Sequence, residues 1–232
     1  MLAPLEQPGI ARSLEGGARP GGTLFLAREY ADGQDILTFA NQRGLATDER
    51  VRLVVEVLGA VAYAHEQGVV HRDLKPANIL VDRFGRTRLL DFGVAKLLDD
   101  DDAAPHPVTE LALRMFTPAY ASPEQFAGEP VAAASDIYSA GVLLYELLTG
   151  SRPFGGSGTS RSELEREVLS SAPRPPSVRL REAPGVQVRP DVEADDDRAG
   201  RGGEEHVGLG DRADGVMDHV DANLGVRDLH ER

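Results

Sequence analysis

Apolar residues recur at helical spacing along the stretch that follows Thr47. This spacing places side chains on one face of an α-helix. Thr47 is of a type favoured at the N-cap, and Gly68 is a typical helix stop. The pattern therefore predicts a helix between Thr47 and Gly68 with one buried face. The residues of that face are Val51, Val54, Val55, Leu58, Val61, Ala62 and His65.

A second segment, SDIYSAGVLLYELLTG from Ser135 to Gly150, is apolar on almost every side of the helix it would form. Ser135 is a suitable N-cap residue and Gly150 a suitable stop. A helix that is hydrophobic all round is normally buried. We therefore expect this helix to be the centre of the core.

Shorter β-prone runs are punctuated by turn residues. TLFLAREY, from Thr23 to Tyr30, predicts a strand that the following Asp-Gly pair ends, with a short helix next through Ile36 and Phe39. The runs Ile79–Val81 and Thr87–Leu90 flank Asp82–Gly85 and predict a small hairpin.

The two ends of the chain lack such patterns. Residues 1–22 are rich in Gly and Pro, so we expect irregular chain there with at most one short strand around Ile10 to Leu14. Residues 181–232 contain no Lys, Phe, Tyr or Trp and show no sustained period. Such a segment buries too little apolar surface to offset its ordering entropy, which predicts disorder or a shifted reading frame.

Composition narrows the class of protein. The chain has 232 residues and 41% hydrophobic content, enough for a sizeable core. A net charge of −13 argues against a nucleic-acid partner, and the absence of cysteine excludes disulfides and thiolate metal sites. No apolar run approaches the roughly 20 residues of a membrane span, and the N-terminus has no secretion pattern. A cytoplasmic protein is the expectation.

The loop HRDLKPANIL, from His71 to Leu80, carries candidate chemistry. Phosphoryl transfer needs a carboxylate that orients the attacking hydroxyl, oxygen ligands for Mg²⁺ and a cation near the transferred phosphate. Asp73 and Asn78 fit H-R-D-x-x-x-x-N, and Asp91 opens an Asp-Phe-Gly triplet after the predicted hairpin. The spacing predicts that the hairpin returns Asp91 to Asp73 at one magnesium site.

Further segments extend the pattern, namely LGAVAYAHEQGVVHRDLKPANIL, DFGVAKLL, TPAYASPEQF and SDIYSAGVLLYELLTGSRPF. In order and spacing the chain resembles bacterial Hanks-type serine/threonine protein kinases over about residues 5–180. The resemblance implies an α+β, protein-kinase-like fold with a mostly helical C-terminal lobe. It divides the chain into a remnant of the N-terminal β lobe and hinge (1–34), the C-terminal lobe (35–180) and the tail (181–232).

The resemblance also implies roles in phosphate transfer to protein serine and threonine hydroxyls. Asp73 would be the catalytic base, Lys75 would neutralise the γ-phosphate, and Asn78 and Asp91 would hold Mg²⁺. Thr117 would pair with the base and the lysine. For Lys75 a solvated surface lysine, and for Thr117 an ordinary turn threonine, remain the alternatives.

The ATP site would be formed by the hinge backbone at Glu29 and Ala31, by Asp35 at the ribose and by Leu80 below the adenine. Leu80 also fits a plain core role. Arg28 departs from the family pattern, which has an apolar side chain at the back of the adenine pocket.

Regulatory and structural roles follow from the same resemblance. Arg72 would clamp a phosphorylated activation loop, with Thr109 a candidate phosphosite or an unmodified loop threonine. Phe92 and Gly93 complete the Asp-Phe-Gly triplet. Glu124 would in the family pair with an arginine from a later region that is not recognised in this sequence, so no partner is placed for it. Asp136 would hold the catalytic-loop backbone, or else act only as a charge near a helix N-terminus.

For two other sequence features we favour a structural role over a binding role. Adjacent residues such as Asp99–Asp102 do not converge on one ion, so a solvated charge run is favoured over a metal site. His65 lies on the apolar helix face and is favoured as a satisfied packing residue over a ligand.

Three kinase parts are not recognised in this sequence: a Gly-rich phosphate loop, a strand lysine and its helix glutamate. Gly16–Gly17 and Gly21–Gly22 lack the required spacing and are predicted to be turns. We therefore expect an N-terminally truncated domain with weak or no activity. The alternative is a pseudokinase-like scaffold that binds proteins without transferring phosphate.

Overall fold

The computed structural model describes residues 5–18, 24–92 and 116–182, hereafter the described residues. Gly93, Asp99–Asp102, Thr109 and the tail after residue 182 lie outside them. The predictions made for those positions stay predictions.

Two long helices form the centre of the core: α2 at Thr47–Glu66 and α4 at Ala133–Thr149. They pack against each other, and α2 also packs on the β-hairpin described below. The short helix α1, Ile36–Gln42, precedes them. Between and after them lie α3 at Pro123–Ala127, α5 at Arg161–Ser170 and α6 at Pro176–Glu182. No helix of the described residues is long and apolar enough to cross a membrane.

The ends of α2 correct one expectation and confirm another. Ala46 is the N-cap residue and Thr47 is the first helical residue; the Glu49 carboxylate accepts the Ala46 N–H at 2.8 Å. At the other end, Gly68 has φ 71° and donates its N–H to the His65 carbonyl. The predicted stop at Gly68 is confirmed because this left-handed conformation favours glycine.

The buried face of α2 is rotated from the predicted one. Val54 and Val61 are buried as expected, but Val55 is 61% exposed and Ala62 is also exposed. Apolar residues stand side by side at both places, so the spacing alone permits two neighbouring faces. Packing against α4 selects the face made by Arg50, Leu53, Val54, Val57, Ala60, Val61 and Ala64.

Helix α4 is buried on nearly all sides, as its apolarity predicts. It starts three residues earlier than expected, with Ala132 instead of Ser135 as the N-cap and Ser135 inside the first turn. The Ser135 hydroxyl accepts the Ala132 N–H at 3.3 Å. Gly150 ends the helix with φ 70°, as predicted.

A buried arginine joins three helices. Arg50 is 1% exposed, and its guanidinium donates to the carbonyls of Leu45 at 2.9 Å, Leu147 at 2.8 Å and Ala40 at 3.3 Å, and to Asn41 Oδ1 at 3.0 Å. Charged donors on carbonyl acceptors form strong hydrogen bonds in a buried setting. Arg50 therefore ties the end of α1 and the end of α4 to α2.

The predicted hairpin is confirmed as β4, Ile79–Val81, and β5, Thr87–Leu89. A two-residue strand β3, Gln34–Asp35, completes a sheet of order β3-β4-β5. In the turn, the Asp82 carboxylate accepts the N–H groups of Phe84 and Arg86 at 2.8 and 3.0 Å.

A separate antiparallel pair is formed by β1, Ser13–Ala18, and β2, Leu24–Arg28. The first strand was expected at Ile10 to Leu14; instead Ile10 makes an isolated parallel bridge to Leu89. Gly16–Gly17 lies in β1, so the turn prediction there is wrong. A Cβ atom at Gly17 would stand 3.1 Å from the Phe25 ring, so glycine permits this close strand contact.

Candidate active site

Asp73 lies in the loop between α2 and β4, where four side chains predicted from the sequence meet. Its Oδ1 accepts the Thr117 N–H at 3.0 Å, and its Oδ2 lies 2.6 Å from Lys75 Nζ. The Asn78 amide donates to the Asp73 carbonyl at 2.8 Å. Thr117 comes from 44 residues later in the chain. These contacts fix the carboxylate while its side chain stays 25% exposed.

Lys75 lies against this carboxylate rather than extending into solvent. Its ammonium donates to Thr117 Oγ1 at 2.6 Å as well as contacting Asp73. The side chain is one quarter exposed. A cation so placed can contact a group that enters next to Asp73.

Asp136, in the first turn of α4, holds the backbone of the predicted catalytic loop, residues 71–80. Its Oδ2 accepts the His71 N–H at 2.8 Å, and its Oδ1 accepts the Arg72 N–H at 2.9 Å. His65 Nε2 lies 2.7 Å from the same carboxylate. Arg72 has φ 70°, an uncommon conformation for a non-glycine residue. The buried carboxylate therefore stabilises a strained turn directly before Asp73.

His71 is a structural link that the motif alone did not single out. It is buried; its Nε2 lies 2.8 Å from the Leu90 carbonyl, and its Nδ1 accepts the Asp73 N–H at 3.3 Å. Its ring meets Phe92 edge to face at 4.7 Å. Burial lowers the pKa of His71, although Asp136 and other nearby groups oppose the shift. The neutral ring, with its proton on Nε2, satisfies both hydrogen bonds.

Asp91 follows β5 and is joined to the catalytic loop through its neighbour. Leu90 donates its N–H to the Asn78 carbonyl at 2.8 Å, so the hairpin returns the chain to the loop that contains Asn78. A shared magnesium site of Asp91 and Asp73 stays a prediction. Asp91 has φ 62°, a second strained non-glycine residue. Its carboxylate forms an ion pair with Arg28 at the end of β2.

The donor set suits Mg²⁺ bound together with phosphates. The Asn78 amide nitrogen is used by Asp73, which leaves the amide oxygen as the ligand atom, and the Asp91 carboxylate is 35% exposed. No group of three or more His, Cys, Asp and Glu side chains that could hold a metal occurs among the described residues. Mg²⁺ is typically held by one or two protein oxygen ligands plus substrate phosphates and waters. The two residues fit that pattern.

The residues predicted to contact ATP lie around β2, β3 and β4. Asp35 and Leu80 are cross-strand partners, and the Asp35 carboxylate caps α1 by accepting the Thr38 N–H at 3.0 Å. Glu29 pairs with Arg88 at 2.6 Å. Ala31, two residues after Glu29, is half-buried.

Gly33, which the sequence analysis did not single out, permits a close approach between this region and β4. A Cβ atom there would stand 2.7 Å from the Val81 carbonyl oxygen. Sequence alone could have flagged it only as part of the Asp-Gly turn signal.

Glu124, in α3, accepts a hydrogen bond from the Ser135 hydroxyl. From the sequence no partner could be placed for Glu124, and this serine was not foreseen. Next to them, the Tyr138 hydroxyl is buried without a hydrogen-bond partner in the described part of the chain. Burial, with the charge of Glu124 as a smaller cause, raises the Tyr138 pKa.

A cavity of about 390 Å³ lies away from the catalytic loop. Its lining includes Arg12, Glu29 and Arg88, and none of the catalytic-loop residues. We assign it no catalytic role because no reactive group of the loop reaches it.

Comparison of the sequence with known proteins identifies relatives of this chain. A family model described as "Protein kinase domain" matches residues 2–184. Serine/threonine-protein kinase pkn3 of Myxococcus xanthus is 37% identical over 194 residues, which cover 82% of this chain and 34% of the relative.

Two further relatives carry similar names. Serine/threonine-protein kinase PknB of Mycobacterium tuberculosis is 35% identical over 181 residues, covering 76% of this chain and 28% of PknB. Serine/threonine-protein kinase PkaA of Streptomyces coelicolor is 40% identical over 162 residues, covering 68% of this chain and 28% of PkaA. The chain thus spans about a third or less of the length of these curated relatives.

Proposed function

Because the chain belongs to the protein kinase domain family, we propose that it transfers the γ-phosphate of ATP to serine and threonine hydroxyls of protein substrates. The observation that carries this proposal is the cluster of Asp73, Lys75 and Thr117 with Asn78 beside it. It supplies a fixed carboxylate, an adjacent cation and a metal-ligand oxygen, which are parts that phosphoryl transfer requires.

In this proposal Asp73 orients the substrate hydroxyl and accepts its proton at a carboxylate oxygen. The Thr117 N–H and the Lys75 ammonium hold that carboxylate in one orientation. Lys75 also lies where its charge can offset negative charge on the transferred phosphoryl group. Asn78 and Asp91 would hold Mg²⁺, which when bound neutralises phosphate charge.

Other assignments complete the proposal. The backbone at Glu29 and Ala31 contacts adenine, Asp35 contacts the ribose and Leu80 packs against the base. Arg72 binds a phosphate on the activation segment, for which Thr109 is the candidate site. Since ATP is an intracellular phosphate donor, we place this activity in the cytoplasm.

A second candidate function is a non-catalytic docking module. The observation that favours it is the Arg28 ion pair on Asp91, because a carboxylate engaged by a cation of the protein is less available to a metal. The two candidates differ in phosphate transfer and therefore can be separated by one assay.

The test is transfer of radiolabelled phosphate from ATP with Mg²⁺ to peptides that carry a single Ser, Thr or Tyr. We expect slow incorporation into the Ser and Thr peptides only. Asp73→Asn should lower the rate by about 10²-fold or more, because it removes the base. Asp48→Asn, a change at a partly exposed aspartate of α2, is the matched control and should have no effect.

Incorporation that survives in Asp73→Asn would contradict the catalytic assignment. Binding of Mg²⁺-ATP without incorporation in the unmodified chain would favour the docking module.

A further inference from the structure

We propose that Arg28 controls metal binding at this site: its guanidinium occupies the Asp91 carboxylate when no divalent cation is bound, and the metal must displace it. This inference rests on the proposed role of Asp91 as a metal ligand. It assigns to Arg28 a function in metal affinity, separate from any contact with the adenine base.

The strand pairing places Arg28 at this position. Arg28 ends β2, where it pairs with Ser13 of β1. Its guanidinium crosses to a carboxylate 63 residues later in the chain. The backbone of Asp91, strained at φ 62°, is kept in place by the bonds of Leu90 to the catalytic loop. Both partners of the ion pair are therefore positioned by elements of the fold.

Neighbouring cations of the described region are engaged with other acids. Lys75 contacts Asp73, and Arg88 contacts Glu29. Arg28 is the cation that the structure pairs with Asp91. The charge on Asp91 is thus balanced by the protein itself in the absence of a ligand.

Arg28 and a divalent cation compete for the same oxygen atoms. A guanidinium donates N–H groups to carboxylate lone pairs, and Mg²⁺ or Mn²⁺ needs those lone pairs for coordination. The two positive charges also repel each other at short range. Binding of one is therefore expected to exclude the other.

The ion pair is weak enough to be displaced. The Arg28 side chain is 39% exposed and that of Asp91 is 35% exposed. Pairs of this exposure shift an equilibrium by about fivefold or less. Charge repulsion adds to this, so we expect removal of the guanidinium to tighten metal binding by about three- to tenfold.

The test uses Mn²⁺, whose free form is counted by electron paramagnetic resonance, titrated into the whole chain with and without ADP. Arg28→Met should bind Mn²⁺ three- to tenfold more tightly than the unmodified chain, while Arg28→Lys, which keeps a cation, should fall between them. Arg52→Met is the matched control, because Arg52 is an exposed arginine of α2 that is paired with Asp48. It should leave the affinity unchanged.

The outcomes distinguish the competition between Arg28 and the metal from the assignment of Asp91 as a metal ligand. Equal or weaker Mn²⁺ binding by Arg28→Met overturns the competition while leaving the metal site intact, provided that Asp91→Asn abolishes binding. Failure of every variant to bind Mn²⁺, with or without ADP, overturns the metal assignment and the competition together. Thermal unfolding of each variant confirms that it is folded before titration.

Discussion

Replacing Asp136 with alanine removes the carboxylate that links the buried helix α4 to the loop of Asp73. Asp136 is 1% exposed and accepts bonds from the His71 and Arg72 N–H groups and from His65. In Asp136→Ala the buried His71 N–H and the partly buried Arg72 N–H lose their acceptor, at a cost of about 1–3 kcal/mol each. With the His65 contact also lost, we expect the free energy of unfolding to fall by about 3–5 kcal/mol.

A competing explanation predicts a much smaller change. An acidic residue in the first turn of a helix is stabilised by the helix dipole by about 0.3–1 kcal/mol. Asp48 is the matched control, since it lies in the first turn of α2, is 38% exposed and pairs with Arg52. Asp48→Ala should therefore lower the free energy of unfolding by less than about 1 kcal/mol.

Urea unfolding followed by circular dichroism measures both variants. Asp136→Asn, which keeps one acceptor oxygen, should lie between the unmodified chain and Asp136→Ala. Equal losses in Asp136→Ala and Asp48→Ala would refute the reasoning, because Asp136 would then act only through the helix dipole.

Three further predictions concern packing and titration. Because burial lowers the His71 pKa, the unfolded state takes up this proton first as pH falls below the ordinary value of 6.5. The unmodified chain should therefore lose stability relative to His71→Gln below that pH: the difference between their free energies of unfolding, measured with urea, should shrink by at most about 1.4 kcal/mol per pH unit. A difference that does not change with pH would contradict this prediction. Arg50→Met leaves buried carbonyls without their donor and should cost about 2–4 kcal/mol in the same assay, whereas a loss below about 1 kcal/mol would count against the buried network. Gly33→Ala forces a methyl group against the Val81 carbonyl and should lower the free energy of unfolding by about 1–3 kcal/mol. Gly59→Ala, in open space on α2, should raise stability by up to about 1 kcal/mol; equal effects of the two glycine changes would contradict the steric argument.

The long helices and the hairpin could be predicted because their signals are local. Helical spacing of apolar residues indicated α2, and a nearly continuous apolar segment ending at Gly150 indicated α4. Gly68 and Gly150 adopt the left-handed conformation that ends a helix. The face of α2 could not be predicted, because adjacent apolar pairs such as Val54 and Val55 permit two faces. Contact with α4 decides between them, and that contact is a tertiary property.

In the candidate site, too, local features could be predicted from the sequence and contacts between distant segments could not. Asp73 and Asn78 lie in one loop, so their spacing in the sequence indicates directly that they are close together. The ion pair of Arg28 with Asp91 depends on how two strands far apart in the chain are placed. Sequence reasoning recognised Arg28 as a departure from the family pattern but had no means of finding its partner.

The most direct test of phosphate transfer at this site is whether a nucleotide stabilises the chain through magnesium and Asp91. Thermal unfolding is followed with ADP, with and without Mg²⁺, for the unmodified chain, Asp91→Asn and Asp73→Asn. We predict a rise in Tm that needs Mg²⁺, is lost in Asp91→Asn and persists in Asp73→Asn. A rise that survives in Asp91→Asn, or no magnesium-dependent rise in the unmodified chain, would contradict it.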